Sequence, residues 1–109
     1  MKGKIVLIPF PFTDLTSTKL RPALVLHEGD ADIIVAFISS KLPKKPSPSD
    51  VIITERNPEY APTGLKVSSV IKLDKVATLS REMVLGEIGE LGPILRREVN
   101  RKISRMYKL

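Results

Sequence analysis

The apolar residues of this chain follow a helical repeat only near its C-terminal end. Four apolar side chains recur there every four residues: Leu95, Val99, Ile103 and Tyr107. Charged residues occupy most of the positions between them, so this segment is predicted to form an amphipathic helix. Gly92 and Pro93 precede it, and proline suits the first turn of a helix. The rest of the fold must come from the residues before Gly92.

Before this helix, short runs of β-branched and apolar residues alternate with turn-forming residues. The predicted strands are residues 4–10, 22–27, 32–38, 51–54, 69–73 and 84–91, with residues 75–79 extended or forming one turn. The short polar turn at residues 28–30 predicts an antiparallel hairpin. Pro9 and Pro11 have no N–H, so the first strand is expected to end there or to lie at a sheet edge. Seven or so strands with one C-terminal helix predict a mainly β fold, a small β-barrel.

Two segments are predicted to be loops. Residues 40–50 contain three prolines, which exclude a helix and an inner strand. Residues 57–64 contain two more prolines and end on Gly64. The length of 109 residues predicts one domain, residues 1–109.

The composition excludes several classes of protein. Cysteine is absent, so there is no disulfide framework, no thiolate zinc site and no thiol nucleophile. No apolar run approaches the roughly 20 residues that a membrane span needs. The first residues run straight into a strand-like segment and lack the apolar region of a signal peptide. These features predict a cytoplasmic protein with no membrane partner.

The formal net charge of +6 is unevenly distributed. From Gly92 onward there are six basic residues and one acid, Glu98. A second basic cluster, Lys41, Lys44 and Lys45, lies in the proline-rich loop. Basic patches attract phosphate backbones, although a basic helix face can also simply be solvated.

The residues able to carry chemistry are few. His27 is the one histidine, so it has no second histidine or cysteine with which to bind a metal. Pro22 restrains Arg21 to an extended backbone, and arginine is suited to bidentate phosphate contacts. Ser39 and Ser40 follow directly after the apolar strand of residues 32–38. Their hydroxyls are predicted either to contact a phosphate or simply to terminate the strand.

Five segments in this order resemble the PemK/MazF family of toxin endoribonucleases. They are residues 3–15, 20–26 and 35–40, the Thr63–Gly64–Leu65 stretch and residues 69–79. The resemblance implies an SH3-like barrel with a C-terminal helix that forms a symmetric homodimer. It also implies metal-independent, cofactor-free, sequence-specific cleavage of single-stranded RNA, and a cognate antitoxin that blocks the site.

The resemblance also assigns catalytic residues. The catalytic arginine of the family precedes a proline at the start of the second strand, which is Arg21 here. Its catalytic hydroxyl ends the third strand, where Ser39 aligns and Ser40 is the fallback. Attack by the 2′-hydroxyl of the RNA itself needs no metal, and Arg21 would stabilise the developing charge. Arg21 cannot act as the base because its guanidinium stays protonated. Asp14, in the loop before Arg21, is a candidate for the base, with a turn former and an ion-pair partner as the equal alternatives.

Further residues are predicted to contact RNA through charge or stacking. Four lysines would contact the RNA backbone: Lys19, Lys41, Lys44 and Lys45. Tyr60 would stack on a base. Phe10, Phe12 and Phe37 are predicted to belong to the core. The chain departs from the family at Lys4, where aspartate is usual, and at Ser39, where threonine is usual. These departures leave open a non-catalytic RNA-binding barrel. The barrel also resembles that of the CcdB-type gyrase poisons, so a protein-directed toxin is the second alternative.

Overall fold

The computed structural model describes residues 1–11 and 18–109. These residues form six β-strands and one α-helix, joined in part by two 3-10 turns, Ala61–Thr63 and Arg81–Met83. The strands and helix are β1 (Lys4–Pro11), β2 (Thr18–Glu28), β3 (Asp32–Ser39), β4 (Asp50–Ile53), β5 (Ser69–Ser80), β6 (Gly86–Glu90) and α1 (Pro93–Met106). No helix within the described residues is long and apolar enough to cross a membrane.

All six strands belong to one antiparallel sheet with the order β4-β5-β3-β2-β1-β6. The sheet is curled into a half-barrel and α1 packs on it, which confirms the predicted mainly β fold with a C-terminal helix. The predicted hairpin is also confirmed, since β2 pairs with β3 across residues 28–32.

The strand count differs from the prediction because residues 69–80 form one strand. Ala36 on β3 pairs with Val76, and the next residue, Phe37, pairs with Lys72. The three residues of β5 between these partners form a bulge, and a bulge bends a strand without ending it. The two predicted segments, residues 69–73 and 75–79, are therefore halves of β5.

Pro9 and Pro11 lie in the part of β1 that pairs with only one strand, β2, among the described residues. β6 pairs with residues 4–7 of β1, whereas β2 pairs with residues 5–11. Pro9 and Pro11 therefore follow the last residue paired with β6, on a stretch that behaves as a sheet edge. This position explains how a strand with two residues lacking an N–H lies inside the sheet.

The curled sheet buries side chains on both of its faces. One face packs against α1 through Leu95 and Val99, with the buried partners Ile5, Leu24, Ala36, Ile38, Val51, Ile53, Leu65, Ile71, Leu73 and Leu91. The other face forms a smaller cluster of Val6, Ile8, Ala23, Val25, Ile33 and Val35. Neighbouring residues along a strand point to opposite faces, so Ile5 and Val6 belong to different clusters.

A side chain distant in sequence caps the N-terminus of α1. Gly92 is the N-cap residue and has no side chain to offer. The Glu59 carboxylate accepts the backbone N–H groups of Ile94 and Leu95 at 3.0 and 2.8 Å. A carboxylate is favoured at this position because the first N–H groups of a helix have no partner within the helix.

Glu59→Ala is expected to lower the free energy of unfolding by about 1–2 kcal/mol, the value of a lost cap that carries charge. Urea unfolding followed by circular dichroism measures it. Glu55→Ala is the matched control, because Glu55 is exposed and its side chain caps no helix. Equal stability losses in the two variants would contradict the capping role.

Candidate active site

Arg21 lies inside β2, three residues from the described start of that strand. It is half-buried and faces Ile8 across the β1–β2 ladder, while Pro22 faces Leu7. The sequence placed Arg21 at the start of a strand, but β2 already begins at Thr18. The backbone on both sides of Arg21 is therefore set by the sheet as well as by Pro22.

Ser39 is the last residue of β3 and pairs with Val70 on β5. Its Oγ accepts the backbone N–H of Lys41 at 3.0 Å. This bond turns the chain out of the strand and sets the position of the hydroxyl oxygen. The hydroxyl hydrogen takes no part in this bond, so it can be donated to an anionic oxygen.

Arg21 and Ser39 line one open cavity of about 230 Å³, the Arg21–Ser39 cavity, together with Phe10, Phe37 and Ile38. The Phe10 and Phe37 rings meet edge to face, with centroids 5.0 Å apart and an interplanar angle of 83°. The cavity thus combines a guanidinium, a hydroxyl and two aromatic rings. Those groups suit a phosphate with an adjoining base.

The aromatic wall departs from the prediction that Phe10 and Phe37 are core residues. Phe37 packs against the smaller apolar cluster and also lines the cavity. Phe10 is half-buried beside it. The sequence shows that Phe10 and Arg21 belong to consecutive strands. It does not give the register of β1 against β2, which pairs Phe10 with Lys19 and Ile8 with Arg21 and so brings the Phe10 ring beside Arg21.

A second, larger cavity of about 400 Å³ shares Arg21 and Ile38 with the first. We call it the apolar cavity, since most of its lining is hydrocarbon: Leu7, Leu20, Pro22, Leu65, Val67 and Ile88. Ser40 and Gly64 also line it. The two serines are thereby separated, with Ser39 in the cavity that holds the aromatic pair and Ser40 in its neighbour.

The structure does not bring the other predicted residues into these cavities. Lys41, Lys44 and Lys45 are exposed on the loop that follows Ser39. Lys19 is exposed on β2 opposite Phe10. Asp14 and Phe12 lie outside the described residues, so the candidate base stays a prediction.

Tyr60 stands apart from both cavities. It is half-buried and packs against the core cluster beneath α1. Burial, with a smaller contribution from Glu55, raises the pKa of its phenol. Its predicted role as a stacking platform stays a prediction, but the ring is not part of the Arg21–Ser39 cavity.

His27 and the acidic residues form no metal centre in the part of the chain that is described. His27 is exposed near the end of β2, opposite Ile34. Within residues 1–11 and 18–109, no three His, Asp or Glu side chains are grouped so as to hold a metal ion.

Comparison with solved structures shows the same fold in bacterial toxins. The Mycobacterium tuberculosis toxin MazF-mt6 has a TM-score of 0.75 at 20% identity, covering 97% of this chain and 97% of that one. MazF from Deinococcus radiodurans has a TM-score of 0.69 at 22% identity, covering 96% and 93%. A mycobacterial endoribonuclease solved with its cognate antitoxin has a TM-score of 0.71 at 14% identity, covering 96% and 91%.

The sequence itself decides the family. A search of curated proteins gave no match. A family profile, described as the PemK-like, MazF-like toxin of type II toxin–antitoxin systems, matches residues 1–107. Since this match covers nearly the whole chain, the protein belongs to the PemK-like, MazF-like family of type II toxins.

Proposed function

We propose that this protein is an endoribonuclease that cleaves single-stranded RNA at specific sequences and acts as the toxin of a toxin–antitoxin pair. The observation that carries the proposal is the shared cavity of Arg21 and Ser39, which come from different strands. A fold neighbour with the same architecture is an endoribonuclease solved with its antitoxin. The proposal places the protein in the cytoplasm, where its RNA substrate is found, as a homodimer.

The proposed reaction uses the RNA's own 2′-hydroxyl as the nucleophile. Its oxygen attacks the neighbouring phosphorus, and the bond to the 5′-oxygen of the next nucleotide breaks. The products are a 2′,3′-cyclic phosphate and a 5′-hydroxyl. Such a step needs in-line geometry and charge stabilisation on the phosphate rather than an external nucleophile.

Arg21 and Ser39 have distinct roles in this reaction. The Arg21 guanidinium stabilises the charge that develops on the non-bridging oxygens and donates a hydrogen bond to the departing 5′-oxygen, which takes its proton from water. The Ser39 hydroxyl donates a hydrogen bond to a non-bridging oxygen. Phe10 and Phe37 offer ring surfaces to a base beside the scissile phosphate.

The base that accepts the 2′-hydroxyl proton must come from elsewhere. The described residues that line the Arg21–Ser39 cavity include no carboxylate and no imidazole. Asp14 precedes β2 in sequence by a few residues and is our candidate for this role.

Incubation of the purified protein with long single-stranded RNA in EDTA tests the proposal. We expect discrete fragments, because the reaction draws its charge stabilisation from Arg21. Fragment ends carrying a 2′,3′-cyclic phosphate and a 5′-hydroxyl identify the 2′-hydroxyl as the nucleophile. A folded protein that leaves all RNA intact would favour a non-catalytic RNA-binding barrel or a protein-directed toxin.

Ser39→Ala is expected to slow cleavage by about 10-fold or more, since a hydrogen bond to a charged group contributes about 1.5–3 kcal/mol. Ser40→Ala is expected to cost clearly less, because Ser40 lines the apolar cavity. Ser39→Thr keeps the hydroxyl and is expected to retain cleavage. Initial cleavage rates of a labelled RNA compare the three, and a greater loss with Ser40→Ala would reassign the catalytic hydroxyl to that residue.

A further inference from the structure

The loop between β3 and β4, residues 40–49, joins the Arg21–Ser39 cavity to α1. At its start, Lys41 donates its N–H to Ser39 Oγ at 3.0 Å. Where it ends, Lys102 of α1 donates from Nζ to the carbonyl oxygen of Asp50 at 2.6 Å, and the same Nζ lies 3.0 Å from a Glu98 carboxylate oxygen. The loop is therefore attached to the site at one end and to the helix at the other.

The Asp50 side chain reinforces the second attachment. Its Oδ2 accepts the N–H of Ser47 at 2.9 Å, and its Oδ1 lies 3.4 Å from Lys72 Nζ. Burial acts to raise the pKa of this carboxyl, but the bond from Ser47 and the charge of Lys72 outweigh burial and hold the pKa below its ordinary value. The carboxylate thus stays charged and keeps the last residues of the loop against β4 and β5.

Exposed cations lie on the loop and on the helix to which the loop is attached. Lys41, Lys44 and Lys45 are all exposed, and residues 40–49 contain no acid. Arg101 and Arg105 are exposed on α1. We call these five residues the basic band.

A cavity marks the junction between the loop and helix parts of the basic band. Arg101 and Arg105 line a space of about 250 Å³ with Pro48 of the loop and with Lys102 and Met106 of the helix. The helix cations are therefore neighbours of the loop, although more than 50 residues separate Pro48 from Arg101 in sequence.

Four of the five basic residues of α1 form two groups, and the fifth, Arg97, is exposed. Arg96 and Lys102 attach the helix to the sheet: Arg96 donates to the carbonyl of Leu91 at 2.8 Å and pairs with Glu90 at 3.2 Å. Arg101 and Arg105 are one helical turn apart, and like charges at that spacing disfavour a helix. A polyanion laid across them would remove this repulsion.

We propose that the basic band is a track for the backbone of single-stranded RNA, which runs from the Arg21–Ser39 cavity along the β3–β4 loop to Arg101 and Arg105. The inference rests on the proposed function and extends the substrate contact to the C-terminal helix. A nucleic-acid strand fits better than an acidic peptide because the band begins at the residue that turns out of the cavity, Lys41.

The salt dependence of RNA binding tests the track. The probe is a single strand of 2′-O-methyl RNA of roughly 20 nucleotides. This RNA lacks the attacking 2′-hydroxyl, so the full-length wild-type protein can bind it without cleaving it. Arg101→Gln/Arg105→Gln is expected to reduce the slope of log K against log salt by about 1.4, since each phosphate contact on a single strand contributes about 0.7. Arg101→Lys/Arg105→Lys keeps both charges and is expected to keep the slope.

Lys2→Gln/Arg56→Gln is the charge-matched control. Both of its residues are exposed, one before β1 and one after the far end of β4. Circular dichroism verifies that every variant is folded. An unchanged slope in Arg101→Gln/Arg105→Gln, or an equal reduction in the control, would overturn the proposal. Loss of binding to polyglutamate with an unchanged RNA slope would also overturn it and assign the band to an acidic peptide.

These outcomes are independent of cleavage. If the wild type leaves ordinary RNA intact but the slope falls as expected, the nuclease proposal fails and the track remains. If the wild type cuts RNA and the slope is unchanged, the track fails and the nuclease proposal remains.

Discussion

Arg21→Ala is expected to reduce the rate of RNA cleavage in EDTA by about 10²–10³-fold, the cost of removing one preorganised donor from a developing oxyanion. Arg21 supplies the one cation that lines the Arg21–Ser39 cavity among the described residues. Without the Arg21 guanidinium, the described side chains that line the cavity present only the Ser39 hydroxyl and apolar groups to the phosphate. Initial rates on a labelled single-stranded RNA, at matched protein concentration, measure the effect.

Arg21→Lys separates charge from geometry. Lysine keeps one positive charge but lacks the planar fork that binds two phosphate oxygens at once. We therefore expect a rate between those of the wild type and Arg21→Ala. A lysine variant as active as the wild type would show that charge alone is required.

Fold and background activity need their own controls. Arg56→Ala removes an exposed cation that lies after β4 and outside both cavities, and it is expected to cleave like the wild type. Thermal unfolding of Arg21→Ala should stay close to that of the wild type. If Arg21→Ala cuts RNA as fast as the wild type, the assignment of the site is wrong.

Gly64→Ala is expected to destabilise the protein by about 2–5 kcal/mol, from the left-handed backbone and from overpacking together. Gly64 ends the 3-10 turn Ala61–Thr63 with a φ of 71°. A Cβ built there would lie 1.9 Å from the carbonyl oxygen of Ile88 on β6. Either the turn or β6 would have to move, and both Gly64 and Ile88 line the apolar cavity beside Arg21.

Gly86→Ala provides the matched control for this prediction. Gly86 begins the same strand, β6, and a Cβ added to it would meet nothing within 4 Å. Its stability is expected to change by no more than about 0.5 kcal/mol. Urea unfolding of both variants measures the difference. Comparable stabilities would show that the turn and β6 separate easily and that Gly64 is not constrained by close packing.

The local features of the fold were predictable from the sequence. The four-residue repeat that includes Leu95 and Val99 predicted α1, because a helix brings such residues to one face. The turn at residues 28–30 predicted the β2–β3 hairpin, because so short a connection joins neighbouring antiparallel strands. Arg21 and Ser39 were selected by their chemistry and by resemblance to a family, and both proved to lie in one cavity.

Contacts between distant residues were decided by the tertiary structure alone. Glu59 caps a helix that begins more than 30 residues later, and neither segment predicts the other. The bulge in β5 makes one strand of two predicted ones. Nor did the sequence separate Ser39 from Ser40, since both follow the same apolar run and only the packing around them assigns each to a cavity.

The sequence by itself determined roughly where most strands lie, where the helix begins and which side chains can carry the chemistry, because those properties depend on residue type and short-range periodicity. The tertiary structure decided that Phe10 faces Phe37 beside Arg21 and that Pro48 meets Arg101 and Arg105. Such neighbours depend on strand register and on how α1 docks. Both are settled by the burial of many side chains together rather than by any local pattern.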